Sequence, residues 1–207
     1  MKGEVLLMDK IIQILTNNNL IKTKEDEAII RYGLELLLNA VVSVSILLTL
    51  GAVLGIFWET LIFYITYLFL KKNTGGYHAD SHIGCITQFN LFCLILFLLQ
   101  KHHLILIPRL VIHLFLIICV FGFAPVKSEN KKISPQKMTC HKKTARIKCL
   151  IVCVLSPVLK RLHFPESLLQ YYYLGLLMIC ITILLGARKN HLTSKGGCHE
   201  KHTHCDM

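Results

Sequence analysis

Charge is scarce in this chain. Only 17% of its 207 residues are Asp, Glu, Lys or Arg, and the acidic ones are fewer, twelve against 23 basic. A soluble domain of this size needs a mixed charged surface around its core. With 54% hydrophobic residues and a mean hydropathy of +0.55, too little polar surface remains to build one. A secretory signal peptide is also missing: residues 1–33 intersperse acidic and basic side chains, and no small-residue cleavage site follows a short apolar core. Insertion is therefore expected to depend on internal spans. The nine cysteines are odd in number, and Cys93, Cys119, Cys149, Cys153 and Cys180 sit inside apolar runs, which excludes a disulfide framework and makes most of them small buried hydrophobes. There is no internal repeat and no low-complexity tract. The net charge of +11 lies between the apolar runs, an arrangement that suits anionic headgroups rather than nucleic acid.

What the chain has is long apolar runs. A helix crosses a bilayer with about 20 mostly apolar residues, and several stretches reach or approach that length. Residues 4–15 come first, with Val5, Leu6, Met8, Ile11, Ile12 and Leu15 on one helical face. They are too short and too charged to span, and are expected to lie along the membrane surface. Thr23 with Asp26 has the form of a capping box. The apolar runs then cover about 34–57, 58–70, 86–99, 104–123, 147–159 and 168–187, with a tight turn expected near Gly55. Pro157 shortens or kinks the fifth run. The expected fold class is thus all-α: a polytopic membrane protein of about six transmembrane helices, or four, plus an N-terminal interfacial helix. Residues 1–33 form the N-terminal segment, 34–187 the transmembrane domain with a basic loop at 125–148, and 188–207 a polar tail.

On the six-span reading nineteen Lys and Arg fall on one side and three on the other, with Arg109 inside the fourth run. The positive-inside rule then puts both termini, and the polar stretch after residue 70, in the cytoplasm of a multi-pass cell-membrane protein. Arg109 is a costly charge for an apolar run, and reads either as snorkelling near a helix end or as facing protein or water.

The stretch that carries chemistry is KKNTGGYHADSHIGC, residues 71–85. Cys85 is a candidate nucleophile, and His78 and His82 are candidate bases that would favour its thiolate. Gly75 and Gly76 permit torsions that would let a backbone amide turn toward an oxyanion. Asp80 could orient an imidazole, or be a solvated loop charge. On a straight helix His78 and Cys85 share a face but lie roughly 10 Å apart along the axis. A dyad of those two requires a bent or unwound backbone, with Gly84 a plausible place. His82, three residues before Cys85, would touch it on an unbroken helix. The competing reading of the stretch is a polar membrane loop that happens to contain His and Cys.

The stretch resembles the AgrB family, membrane peptidases of accessory gene regulator quorum-sensing systems, whose pattern is a basic residue, Gly-Gly-x-His, and Cys seven residues after that His. Lys71, Lys72, Gly75, Gly76, His78 and Cys85 follow it in order, and RYGLE at 31–35 and APVKSENKKIS at 124–134 are similar too. The resemblance covers about residues 25–187. Where the family often has Arg, this chain has Lys71 and Lys72, which lack the bidentate fork. The resemblance implies Cys85 as nucleophile with His78 as its partner. It also implies a short precursor peptide with an amphipathic leader as substrate, a thioester intermediate, closure of the peptide by a substrate thiol, and a homodimer. No cofactor is expected. Glu35, at the start of the first span, is either a support for His78 or a basic substrate group, or a helix-end carboxylate in the headgroup zone. The Cys198, His199, His202, His204 and Cys205 cluster has metal-binding composition but no flanking fold to fix it, so no metal site is assigned. The alternative to a peptidase is a non-enzymatic membrane protein, a small transporter or the membrane partner of a signalling complex.

Overall fold

The structure, a computed structural model, describes residues 2–17, 23–76, 82–105, 107–126 and 135–200, the side chains of 2–8, 24, 25, 32, 36, 82, 83, 135 and 192–200 excepted. Seven helices account for them: α1 Lys2–Asn17, α2 Lys24–Val53, α3 Phe57–Thr74, α4 His82–Lys101, α5 Arg109–Phe123, α6 Pro135–Arg161 and α7 Glu166–Glu200. No strand occurs among the described residues, so the all-α class stands.

Local sequence sets the boundaries. The capping box is present: Asp26 N donates to Thr23 Oγ1 and Thr23 N to Asp26 Oδ2, each at 3.1 Å, so two donors at the start of α2 are satisfied. The turn at Gly55 (φ +72°) closes α2 with Ile56 N donating to Gly51 O at 2.8 Å, and sends the chain back as α3. Pro108 starts α5 at Arg109, five residues later than the apolar run begins, because proline cannot continue a helix on its N-terminal side. Arg109 therefore sits at a helix end. Its guanidinium pairs with the Glu166 carboxylate in the first turn of α7 and lies 5.7 Å from the Tyr173 ring centroid.

The stretch 125–148, expected as a basic loop, is helical from Pro135 onward, where α6 takes it in, and residues 127–134 lie outside the described residues. Lys and Arg are good helix formers, and the buried stripe Ala145, Cys149, Val152 and Ser156 carries helical spacing into the basic stretch. The polar tail likewise begins as helix, with α7 continuing to Glu200. Cys198 and His199 lie in its backbone. Their side chains, and His202, His204 and Cys205, lie outside the described residues.

Among the described residues three stretches are long and apolar enough to cross a membrane, Asp26–Val53, Gly84–Lys101 and Glu166–His191, and α5 is a shorter apolar helix of 15 residues. α7 is the centre of the packing, against α3 and α5 above all. Gly175 allows this: a Cβ there would stand 2.8 Å from Phe63 O, so the backbones of α3 and α7 approach closely, as small residues permit in membrane bundles. α1 docks on the start of α2 through Asp9 and Arg31, 3.0 Å apart, with Ile12 buried.

Two registers place the site. Asn90 Nδ2 donates to Ser43 Oγ (3.0 Å) and Lys101 Nζ to Leu54 O (3.1 Å); both pairs are 47 residues apart, so α2 and α4 run parallel and in step. The rings of Phe63 and Phe97 (5.0 Å) and of Tyr67 and Phe89 (5.1 Å) set α3 antiparallel to α4. One end of the bundle thus gathers the end of α3 and the start of α4. The opposite end carries the Arg109–Glu166 pair.

Candidate active site

Past Leu70 the apolar run of α3 gives way to Lys71, Lys72, Asn73 and Thr74, and the last carbonyls of the helix find partners. Lys148 Nζ donates to Phe69 O at 2.8 Å, Thr74 Oγ1 to Leu70 O at 3.2 Å and Gly75 N to Lys71 O at 3.2 Å. Asn73 Nδ2 lies 3.2 Å from His141 Nδ1 on α6. These contacts fix the end of α3 before the chain leaves it.

It leaves through a turn that needs glycine twice. Gly75 has φ +68° and ψ −146°, and Gly76 has φ +140°. Both lie where L side chains are strained. Space is also missing. A Cβ on Gly75 would stand 2.5 Å from Val126 O, and one on Gly76 would stand 2.6 Å from Lys71 Nζ and 3.2 Å from Thr182 O. Val126 N donates to Thr74 O at 2.9 Å. The turn is therefore wedged between the segment after α5 and the middle of α7.

Cys85 lies in the first turn of α4 and is half-buried. Amides of that turn lack acceptors within the helix, so its positive end faces the sulfur's surroundings and favours negative charge there. Gly84 lies within the helical backbone of α4, so the chain is not unwound at that glycine. His78 and Asp80 lie outside the described residues. His82 begins α4 and shares it with Cys85, but its side chain is outside the description.

The two lysines separate. Stepping one helical turn from the Tyr67–Phe89 contact in each antiparallel helix brings Lys71 level with Cys85. Lys71 is half-buried, with Nζ 5.7 Å from the Tyr67 ring centroid, whereas Lys72 is exposed. Lys71 lies beyond the apolar stretch of α3. Burial lowers its ammonium to about 8, and the nearby Cys85 acts in the opposite direction. Glu35 is half-buried, and the 47-residue offset puts it level with His82. At 100° per residue it stands about 80° round α2 from Ser43, so it flanks the α2–α4 contact rather than facing it.

The structure thus gathers Gly75, Gly76, Lys71 and Cys85 at one end of the bundle, with Glu35 at the same level, and turns Lys72 outward. Sequence reasoning missed Thr182, Val126 and Tyr67. Thr182 and Val126 take part through backbone atoms, and Tyr67 is one aromatic residue among several in its run, so no signal in the sequence marked them. No group of three or more His, Cys, Asp or Glu among the described residues could hold a metal ion.

An all-helical bundle with spans of this length defines a polytopic membrane protein. The sequence profile of the accessory gene regulator B family matches residues 8–183, and the chain belongs to that family. It is 31% identical over 176 residues to AgrB-like protein 2 of Clostridium perfringens strain 13, covering 81% of this chain and 79% of that one. It is 28% identical over 190 residues to the AgrB-like protein of C. perfringens strain SM101, with 86% of each covered. With accessory gene regulator protein B of Staphylococcus aureus strain Newman it shares 23% identity over 156 residues, 75% of this chain and 80% of that one. No solved structure matches the chain.

Proposed function

We propose that this protein is a membrane-embedded cysteine endopeptidase that processes a quorum-sensing precursor peptide. Family membership implies the peptide-processing role. The observation that supports the chemistry is the position of the Gly75–Gly76 turn and the start of α4 at the same end of the bundle, with Cys85 half-buried and Lys71 level with it. His78 follows Gly76 by two residues in the chain.

In this reading His78 takes the Cys85 proton, and the thiolate attacks a precursor carbonyl. The tetrahedral oxyanion is met by an amide of the Gly75–Gly76 turn. Its collapse breaks the C–N bond; the imidazolium gives its proton to the leaving amine, and a thioester to Cys85 remains. A thiol of the peptide then attacks that thioester, closing a thiolactone ring and returning Cys85. One thioester replaces another, so the ring closes without ATP. A membrane-sheltered site keeps water from the acyl-enzyme, and the precursor's amphipathic leader lies in the interface beside it. Six crossings with both termini and residues 71–85 in the cytoplasm follow from the distribution of Lys and Arg, and the protein works as a homodimer.

The test is processing of a tagged cognate precursor. Cys85→Ala and His78→Ala are each expected to abolish it, and full activity in either defeats the proposal. Loss in His82→Ala with His78→Ala unaffected assigns the base to His82 instead. A non-enzymatic membrane protein would leave all three variants indistinguishable from wild type.

A further inference from the structure

We infer that Lys71 is the positioning residue for the nucleophile: its ammonium, folded back over Gly76, is the counter-charge that holds a Cys85 thiolate. This rests on the reading of Cys85 as the nucleophile.

A lysine at the end of a helix beside polar chain has every opportunity to extend into water, as Lys72 does. Lys71 instead turns inward and is half-buried. Withdrawing an ammonium from water is costly unless something compensates it. No Asp or Glu among the described residues forms an ion pair with it. The groups that face it are Tyr67 on its own helix, Cys85 on α4 and the Thr182 backbone on α7. The Tyr67 ring, 5.7 Å from Nζ, offers a weak cation–π contact. Of these groups, the Cys85 thiol is the nucleophile, whose attacking form is an anion. The α6 groups that reach α3, Lys148 at Phe69 and His141 at Asn73, are on the opposite side of that helix, because residues two apart differ by about 200°.

Gly76 has a second use here. With its absent Cβ only 2.6 Å from Lys71 Nζ, a side chain at that position would occupy the volume the ammonium fills. The basic residue and the second glycine of the motif therefore form one device: the glycine makes room, and the lysine brings charge to the sulfur.

The test is the rate at which iodoacetamide alkylates Cys85 at pH 7 in the full-length protein in lipid nanodiscs, with peptide mapping to separate the cysteines. Lys71→Met is expected to slow Cys85 about tenfold, since a nearby opposite charge favours the thiolate by roughly that factor. Lys71→Arg keeps most of the rate, and Lys72→Met leaves it unchanged. Exposed Cys140 on α6 serves as the internal reference and keeps its rate throughout. Lys71→Gln carries the same expectation should Lys71→Met not fold. A wild-type Cys85 rate in the neutral variants, or equal slowing by Lys72→Met, overturns the inference. Alkylation needs no precursor, so the two claims fail separately. Slowed labelling in Lys71→Met alongside full processing by Cys85→Ala would keep the Lys71–Cys85 pair and defeat the peptidase reading.

Discussion

Replacing Gly75 by alanine should damage the turn beyond what one methyl group does elsewhere. The backbone there, φ +68° and ψ −146°, is a region occupied essentially by glycine alone, and holding an alanine in it costs about 1–3 kcal/mol. The new Cβ would also meet Val126 O at 2.5 Å, far inside van der Waals contact, and a backbone atom cannot rotate away. Relief requires moving Val126, which breaks its 2.9 Å bond to Thr74 O and costs about 1 kcal/mol more. The perturbation is therefore about 2–4 kcal/mol, placed on the turn and not on the α3–α7 core. Gly122→Ala is the matched control, because nothing lies within 4 Å of its Cβ position. Precursor processing and thermal unfolding in detergent are the assays. Gly75→Ala should lose at least tenfold in processing and melt several degrees lower, while Gly122→Ala stays at wild-type levels in both. Should the two variants behave alike, the turn is not held as described.

Other consequences of the packing are open to the same measurements. Gly175→Val should lower the melting temperature by the equivalent of about 1–3 kcal/mol, because its Cβ would press on Phe63 O at 2.8 Å. Tyr172→Phe removes the 2.6 Å bond from Tyr172 Oη to Val152 O and should cost about 1 kcal/mol in the same unfolding assay. Arg109→Gln should cost no more than about 1 kcal/mol and leave processing intact, since its pair with Glu166 is partly solvated and lies at the end of the bundle away from Cys85. The Lys71 ammonium loses its proton as pH rises through about 8, so wild-type processing should decline above that pH while Lys71→Arg, which stays charged, does not. Superimposable pH profiles would contradict that role.

Much of the architecture was legible because membrane insertion writes it in long apolar runs. Run length and turn chemistry gave the helical class, the capping box at Thr23 and the reversal at Gly55. The boundaries of α5 and α6 were harder to read. Apolar residues 104–107 continue the α5 run in composition, but Pro108 decides where the helix starts. In α6 the Lys and Arg around the buried stripe hide its helical period, so a helix looked like a basic loop. Cys85 and the two glycines stood out because their residue types are unusual between spans. The difference between Lys71 and Lys72 was invisible in sequence, where they are neighbours of the same kind. Helix rotation about the α3–α4 register turns one toward Cys85 and the other outward. Thr182 and Val126 act through backbone atoms, which every residue has, so no pattern of side chains could mark them.

The most direct measurement is the covalent intermediate itself. Reconstituted protein would be mixed with a cognate precursor whose ring-closing thiol has been removed, so that the acyl-enzyme cannot pass on its acyl group, and then analysed by intact-mass and peptide-mapping spectrometry. The account predicts a hydroxylamine-sensitive adduct on the Cys85 peptide whose added mass is that of the precursor's N-terminal fragment less one water. Cleavage without that adduct, or an adduct on another residue, would contradict it.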